Sequence, residues 1–583
     1  MSLNEVIQKK MKMWTENEYF DVQSRKELLA IKDPQEIEDC FYRDIEFGTG
    51  GMRGILGVGT NRINRYTIRK VSQGLADAIS EHGQAARERG VVIAFDCRRY
   101  SEEFALETAL VLAANHITVY LFDSLSPTPE LSFAVRYLHA VAGVNITASH
   151  NPKEYNGYKL YWEDGAQLTP EHSNKIVEKI AERESWEITP LEESEARAAG
   201  LLYTIGKEVD MAYEKEILQS LFVFDLTQAK GENIKIVFTP LHGTGGRPVP
   251  RVLHKMGFTS LWVVPEQEKP DPEFTTVKFP NPEEPEAYVL ALKLAKKHKA
   301  DLILATDPDA DRLGAYARNT QGEYSRFTGN QIGVILEYYI LSQLKRLGRL
   351  PKNAVVVKTV ASTDLGDAVA ADFGVRTVNV LVGFKYIGEQ IKRLERDGSG
   401  TYVFGFEESH GYLAGTYTRD KDAVQAAALL AEAALYYQEK EKKSLPEVLK
   451  EIFQRYGTYL DEQVAVVLSG KEGRERIAAV MGRLRKMNPA LLGGMQVEQI
   501  DDFLSGIRSF VQVEKQEKID LPQENALRFS FTGGGFVMAR PSGTEPKIRF
   551  YFCIKGHTAE EAGQALVRVK DEFFDFLKDL IER

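Results

Sequence analysis

The sequence predicts an α/β protein of several domains, and two observations carry that reading. The first is a recurring unit: a short apolar run rich in β-branched residues, then a polar or glycine-rich loop, with helical patterns between units. The second is length, since 583 residues are too many for one core and suggest roughly four domains.

The units come in order. Val91 to Phe95 leads to Asp96-Cys97-Arg98, and Val141 to Ile146 leads to Ser149. Ile234 to Phe238 leads to the loop from Leu241 to Gly246, and Leu302 to Ala305 leads to Asp307. Ala354 to Val360 leads to Ser362-Thr363-Asp364, and Tyr402 to Phe406 leads to Glu407. Helical patterns at Arg69 to His82, Pro285 to Lys297 and Gln331 to Leu347 lie between them. One loop in each pair of units is chemically loaded, around Ser149, Asp307 and Glu407. We expect three related α/β domains with largely parallel sheets, each offering one such loop to a shared cleft, because ligands sit beyond the carboxyl ends of strands in these sheets.

After Lys440 the pattern changes. Lys440 to Lys443 reads as a charged linker, Val464 to Leu468 and Phe536 to Arg540 as strands, and Ala559 to Ile581 as an amphipathic helix with Leu566, Val569, Phe573, Phe574, Phe576, Leu577 and Leu580 mostly on one side. Ala423 to Tyr437 is the most apolar helical stretch, interrupted by Gln425 and Glu432. It is shorter than the roughly 20 residues a bilayer needs, so a buried helix is expected and no membrane partner. Met1 to Trp14 carries Lys9, Lys10 and Lys12 without an apolar core, unlike a signal peptide.

Composition is that of a globular protein, 43% apolar and 27% charged. A net charge of −10 argues against nucleic-acid binding. It also means that a phosphate ligand would have to be held by local cations. Cys40, Cys97 and Cys553 are too few and too scattered for a disulfide framework or a zinc site, and a reducing cytoplasm is expected.

Six motifs carry chemistry. Thr147-Ala148-Ser149-His150-Asn151-Pro152 exposes a serine directly after an apolar strand, a common way to present a nucleophile. Asp307-Pro308-Asp309-Ala310-Asp311-Arg312 spaces three carboxylates by two, the oxygen-rich set a hard divalent cation wants. An EF-hand is excluded, since Arg312 and Arg318 stand where glycine and glutamate are needed. Gly48 to Gly54 is a glycine loop carrying Arg53, without the Gly-Lys-Ser/Thr ending of a nucleotide-binding loop. Glu407-Glu408-Ser409-His410 offers carboxylates and a hydroxyl suited to sugar hydroxyls, and Gly383-Phe384-Lys385 offers a cation. Arg540-Pro541-Ser542-Gly543-Thr544-Glu545-Pro546 followed by Arg549 combines two arginines, two hydroxyls and turn amides that suit a phosphate.

Together, and with the run from Tyr155 to Lys159, these motifs resemble the α-D-phosphohexomutase family, most closely its phosphoglucomutase/phosphopentomutase branch. The likeness spans nearly the whole chain. It implies a fourth, smaller C-terminal α+β domain, and boundaries at 1–205 (catalytic serine loop), 206–322 (metal loop), 323–443 (sugar-recognition loop) and 444–583 (phosphate-binding). It implies that Ser149 carries a phosphoryl group, that Mg²⁺ is held by Asp307, Asp309 and Asp311 with the serine oxygen, and that glucose 1,6-bisphosphate is intermediate and activator. Arg53, Arg312, His150 and Lys159 are implied around the reacting phosphate. Lys159 is the acid/base candidate, its pKa expected to be lowered by neighbouring cations. Gly383, Lys385, Glu407, Ser409, Arg540, Ser542, Gly543, Thr544 and Arg549 are implied to contact a sugar phosphate. The motif residues leave hexose mutase, pentose mutase and bisphosphate synthase open. A non-catalytic sugar-phosphate binder is a different class, against which the full phosphotransfer set argues. Oligomeric state is not legible.

Overall fold

The computed structural model describes residues 3–581 apart from 49–50, 184–185, 469, 514 and 543–546. The chain forms two compact units, Met1–Ala315 with Leu413–Leu435, and Tyr316–Tyr412 with Tyr436–Arg583.

The first unit contains a seven-stranded sheet in the order Phe47–Gly48, Gly51–Ile55, Tyr155–Trp162, Ala142–Ile146, Val91–Phe95, Val119–Phe122, Leu202–Ile205. The last four strands run parallel. Tyr155–Trp162 returns antiparallel beside Ala142–Ile146 and so closes the serine loop as a hairpin. Val91–Phe95 and Ala142–Ile146 are buried at every position, which is why both read as unbroken apolar runs rather than alternating ones. Helix Arg65–Glu81 starts at a capping box between Asn64 and Thr67 and packs Ile68, Val71, Leu75 and Ile79 into this core.

The second sheet has the order Tyr324–Arg326, Leu313–Arg318, Leu302–Thr306, Ile236–Thr239, Leu261–Val263. Leu302–Thr306 runs parallel to Ile236–Thr239, so both deliver their following loops at the same end. The apolar helix extends over Ala423–Glu441 and takes in half of the expected linker. Its polar interruptions are satisfied. Gln425 exchanges hydrogen bonds with the backbone of Ala414 at 2.8 and 2.7 Å, and Glu432 accepts from the amides of Phe222 and Val223 at 3.0 and 2.7 Å. Among the described residues no helix is long and apolar enough to cross a membrane.

In the second unit, Ala354–Thr359 pairs in parallel with Arg376–Val380 and Thr401–Glu407. A larger antiparallel sheet follows the path Thr458–Val467, Lys547–Gly556, Gly535–Pro541, Leu527–Phe531, Met495–Asp502, Ile507–Phe510, Lys515–Lys518. Helix Ala559–Ile581 covers it with Val569, Phe573 and Leu577 buried. Phe576, expected on the same face, is 38% exposed. The strand expected at Val464–Leu468 is longer and earlier, Thr458–Val467.

Candidate active site

The serine loop is built under constraint. Ser149 has φ 52°, a left-handed conformation uncommon for a residue with a Cβ. Its amide donates to Thr147 Oγ1 at 2.8 Å. Its hydroxyl donates to Asp307 Oδ2 at 2.7 Å and lies 3.2 Å from His150 Nδ1. The residue is 3% exposed. The returning strand crosses close beneath. A Cβ on Gly157 would meet the carbonyl oxygens of Met52 and Thr147 at 2.6 and 2.8 Å, so only glycine admits that approach.

The carboxylate loop faces this serine. Asp307, Asp309 and Asp311 are fully buried, and one oxygen from each lies within 4.8 Å of the others. Asp307 Oδ1 accepts from the amides of Asp311 and Arg312 at 3.1 and 3.0 Å. The loop rests on the glycine loop after Ile236–Thr239. Thr244 N donates to Pro308 O at 2.8 Å, and a Cβ on Gly243 would lie 2.4 Å from Pro308 Cα. The run from Leu241 to Gly246 is thus the bed of the acidic loop.

The acidic residues differ in charge preference. Burial, then Asp311 and Asp309, push the Asp307 carboxyl well above the usual range. Burial and Asp311 also push Asp309 upward, but Lys159 and Thr128 hold it below the usual value. Burial raises Asp311 too, and Lys159, Lys421 and Arg312 overcome that and hold it well below.

Lys159 Nζ donates to Asp309 Oδ2 at 2.6 Å and Asp311 Oδ2 at 2.9 Å. Burial alone would lower its pKa, but these two carboxylates raise it above the ordinary lysine value. The expected lowering is therefore reversed, because its nearest charges are anions. Arg312 donates to Glu283 Oε1 at 2.5 Å. Arg53 donates to Asn151 Oδ1 at 3.0 Å, so it braces the serine loop.

Three contributors were not read from the sequence. Lys421 Nζ lies 3.3 Å from Asp311 Oδ2. Thr128 Oγ1 donates to Asp309 Oδ2 at 2.6 Å and accepts from Asn145 Nδ2 at 2.7 Å. Tyr161 donates to Asp420 Oδ2 at 2.8 Å, beside Lys421. The charged run Arg419 to Asp422, directly before a buried apolar helix, was the available signal.

A divalent cation fits the triad. Asp309 Oδ1 and Asp311 Oδ1 are buried without a hydrogen-bond partner, an arrangement that costs free energy unless a cation or donor compensates. All-oxygen donors suit a hard cation.

The second unit gathers another set. Arg540 and Arg549 are direct cross-strand partners, a like-charge pairing that is unfavourable by itself and that an anion would relieve. Arg540 Nε donates to Glu524 Oε1 at 2.6 Å. Ser542 N donates to Lys547 O at 2.7 Å. Gly543 and Thr544 lie outside the described residues. Burial, partly opposed by Glu524, pulls the Lys385 pKa down to about 8. Gly383, at φ 122°, precedes helix Phe384–Asp397 and has open space where a Cβ would point. In the Glu407 loop, Glu407 is 4% exposed, and Ser409 is half-buried. His410 is buried in a left-handed conformation. Thr359 donates to Glu408 Oε2 at 2.7 Å. Burial and the Glu407 charge push the Glu408 pKa up to about 7.

Comparison with known proteins identifies the family. The family models described as phosphoglucomutase/phosphomannomutase alpha/beta/alpha domains I, II and III match residues 44–187, 211–322 and 328–456. The chain belongs to the phosphoglucomutase/phosphomannomutase family. A phosphoglucomutase of Staphylococcus haemolyticus (strain JCSC1435) is 37% identical over 527 residues, 90% of this chain and 93% of the relative. One of Staphylococcus aureus (strain USA300) is 37% identical over 538 residues, 91% of this chain and 93% of the relative. The open-form crystal structure of pp63/parafusin, a phosphoglucomutase from Paramecium, superposes with a TM-score of 0.68 at 18% identity, covering 93% of this chain and 97% of that one. At that identity it speaks for the fold alone.

Proposed function

We propose that this protein is a phosphoglucomutase that interconverts α-D-glucose 1-phosphate and glucose 6-phosphate through a phosphorylated Ser149. It is an enzyme of the intramolecular phosphotransferase type. The observation that carries the reading is the Ser149 hydroxyl, 2.7 Å from Asp307 Oδ2 in a buried triad of carboxylates. A serine in that position has an acceptor for its proton and a site for a cation at its own oxygen.

Phospho-Ser149 transfers its phosphoryl group to the free hydroxyl of the sugar 1-phosphate. The serine P–O bond breaks, a new P–O bond forms to the sugar oxygen, and the hydroxyl proton passes to a base. The resulting 1,6-bisphosphate turns round, Ser149 accepts the other phosphoryl group as its P–O bond to the C1 oxygen breaks, the base returns its proton to that oxygen, and the 6-phosphate leaves. Asp307, Asp309 and Asp311 would hold Mg²⁺, which when bound supplies charge neutralisation at the phosphoryl and serine oxygens. Lys159 and Lys421 hold positive charge where phosphoryl oxygens gain negative charge. Lys159 is the proposed proton carrier. Its ammonium is stabilised by Asp309 and Asp311, so it donates as positioned and accepts only once those contacts loosen. Arg540, Arg549, Lys385, Ser542 and Thr544 are proposed to hold the phosphate that is not reacting, and Glu407 and Ser409 the sugar hydroxyls. The proposed setting is the cytoplasm, on the scarcity of cysteines in the sequence.

The test is a coupled assay of the purified chain with Mg²⁺ and catalytic bisphosphate, comparing glucose 1-phosphate with ribose 1-phosphate. Preference for glucose 1-phosphate supports the reading. Preference for ribose 1-phosphate would make the protein a pentose mutase with the same residues in the same roles.

A further inference from the structure

Ser149 holds a left-handed backbone conformation that its own side chain does not favour. The groups that impose it come from the neighbouring parallel strand. Arg98, on the loop after Val91–Phe95, is 3% exposed. Its Nη2 donates to the carbonyls of Ser149 and Asn151, both at 2.5 Å. Its Nη1 donates to those of Pro152 and Tyr155 at 2.8 and 3.0 Å. Four carbonyls of one seven-residue turn thus converge on one guanidinium.

A buried cation needs an anion, and Asp96 supplies it, with Oδ2 3.2 Å from Arg98 Nε. The same carboxylate reaches the serine from its other side. Thr147 Oγ1 donates to Asp96 Oδ2 at 2.6 Å and accepts from Ser149 N at 2.8 Å. Ser101 Oγ holds Asp96 Oδ1 at 2.8 Å, and the Phe274 ring covers the guanidinium at 5.1 Å. The serine is therefore gripped at its amide through Thr147 and Asp96, and at its carbonyl through Arg98.

We propose that Arg98, charge-balanced by Asp96, is a positioning residue that fixes the Ser149 hydroxyl for phosphoryl transfer. The inference rests on the phosphoserine reading above. The serine oxygen must return to one point in both half-reactions, and a displacement of about 1 Å can cost about 10²-fold in rate. The planar, forked guanidinium can meet four carbonyls, whereas an ammonium has three donors and no fixed plane.

The experiment compares Arg98→Lys, Thr147→Val and Thr147→Ser with wild type. It measures kcat and KM for glucose 1-phosphate, together with amide hydrogen exchange of the peptide spanning 147–156. Arg98→Lys and Thr147→Val are expected to lower kcat by about 10- to 100-fold, with KM within about twofold and faster exchange confined to that peptide. Thr147→Ser, which keeps the hydroxyl, is expected to restore both readouts. If Arg98→Lys does not fold, the Thr147 pair decides alone. Wild-type kcat and exchange in Arg98→Lys and Thr147→Val would overturn the positioning role. A wild-type enzyme without mutase turnover would overturn the functional reading instead, and the exchange data would still decide whether the clamp holds the loop.

Discussion

Lys385 offers a prediction whose size follows from the structure. Its ammonium is partly removed from water, and the pKa falls to about 8. An ordinary lysine stays charged well past pH 9. Here about nine-tenths of the side chain is protonated at pH 7 and about one-tenth at pH 9. A phosphate dianion binds the charged form, so the competent fraction falls roughly tenfold over that interval. KM for glucose 1-phosphate should rise by about that factor between pH 7 and 9, because KM,app scales inversely with the competent fraction. kcat should stay nearly flat, since bound phosphate raises the lysine pKa and keeps it charged in the complex. Lys385→Arg replaces the group with one that stays protonated across the range, and its KM should not rise with pH. Initial rates of both proteins at fixed ionic strength, Mg²⁺ and bisphosphate provide the assay. A wild-type KM that is flat from pH 7 to 9, or an equal rise in Lys385→Arg, would refute the assignment.

Three further outcomes are expected. Lys159→Met should lower kcat by about 10²- to 10⁴-fold, the usual contribution of a positioned proton carrier; near-normal turnover in steady-state assays would remove Lys159 from the chemistry. Arg540→Lys should raise KM about 10- to 100-fold, because charged hydrogen bonds are worth about 1.5–3 kcal/mol each and lysine cannot replace a planar fork; titration with a non-hydrolysable sugar phosphate would detect it. Glu337 is a stability probe. Its two carboxylate oxygens are buried without partners, and burial, then Asp367, raises its pKa well above the ordinary value. The folded state therefore keeps a proton that the unfolded state loses. Stability from this group is complete below the ordinary glutamate pKa and declines as pH rises above it. Thermal melts should show wild type losing stability relative to Glu337→Met between about pH 5 and 8; parallel melting curves would contradict this.

How legible the molecule was depended on how local the determining interaction is. The buried strands were visible because a strand covered on both faces must be apolar along its length, as at Val91–Phe95 and Ala142–Ile146. The acidic loop was visible because its three carboxylates are close in sequence. Lys421 and Thr128 were not, since they reach the same carboxylates from distant segments and only the fold brings them there. The sequence points to the opposite sign for the Lys159 shift for a related reason. Cations near the serine were apparent from the motifs, but the pairing of Lys159 with Asp309 and Asp311 depends on the register of Tyr155–Trp162 against Ala142–Ile146. In the sequence Asp96 and Arg98 read only as a polar loop after a strand. Their role in holding Ser149 rests on backbone carbonyls, which carry no side-chain signature.

The central claim is that one phosphoryl group passes through Ser149. The most direct test is a single turnover. The chain is phosphorylated with glucose 1,6-bisphosphate, freed of ligand, and mixed with glucose 1-phosphate and Mg²⁺. Peptide mass mapping then follows the phosphoryl group in time. The account predicts one phosphoryl group on the Ser149 peptide at the start, leaving it at a rate no slower than kcat as bisphosphate forms. With the starting phosphoryl group isotope-labelled, label that stays on Ser149 during full mutase turnover, or a phosphoryl group carried by another residue, would contradict it.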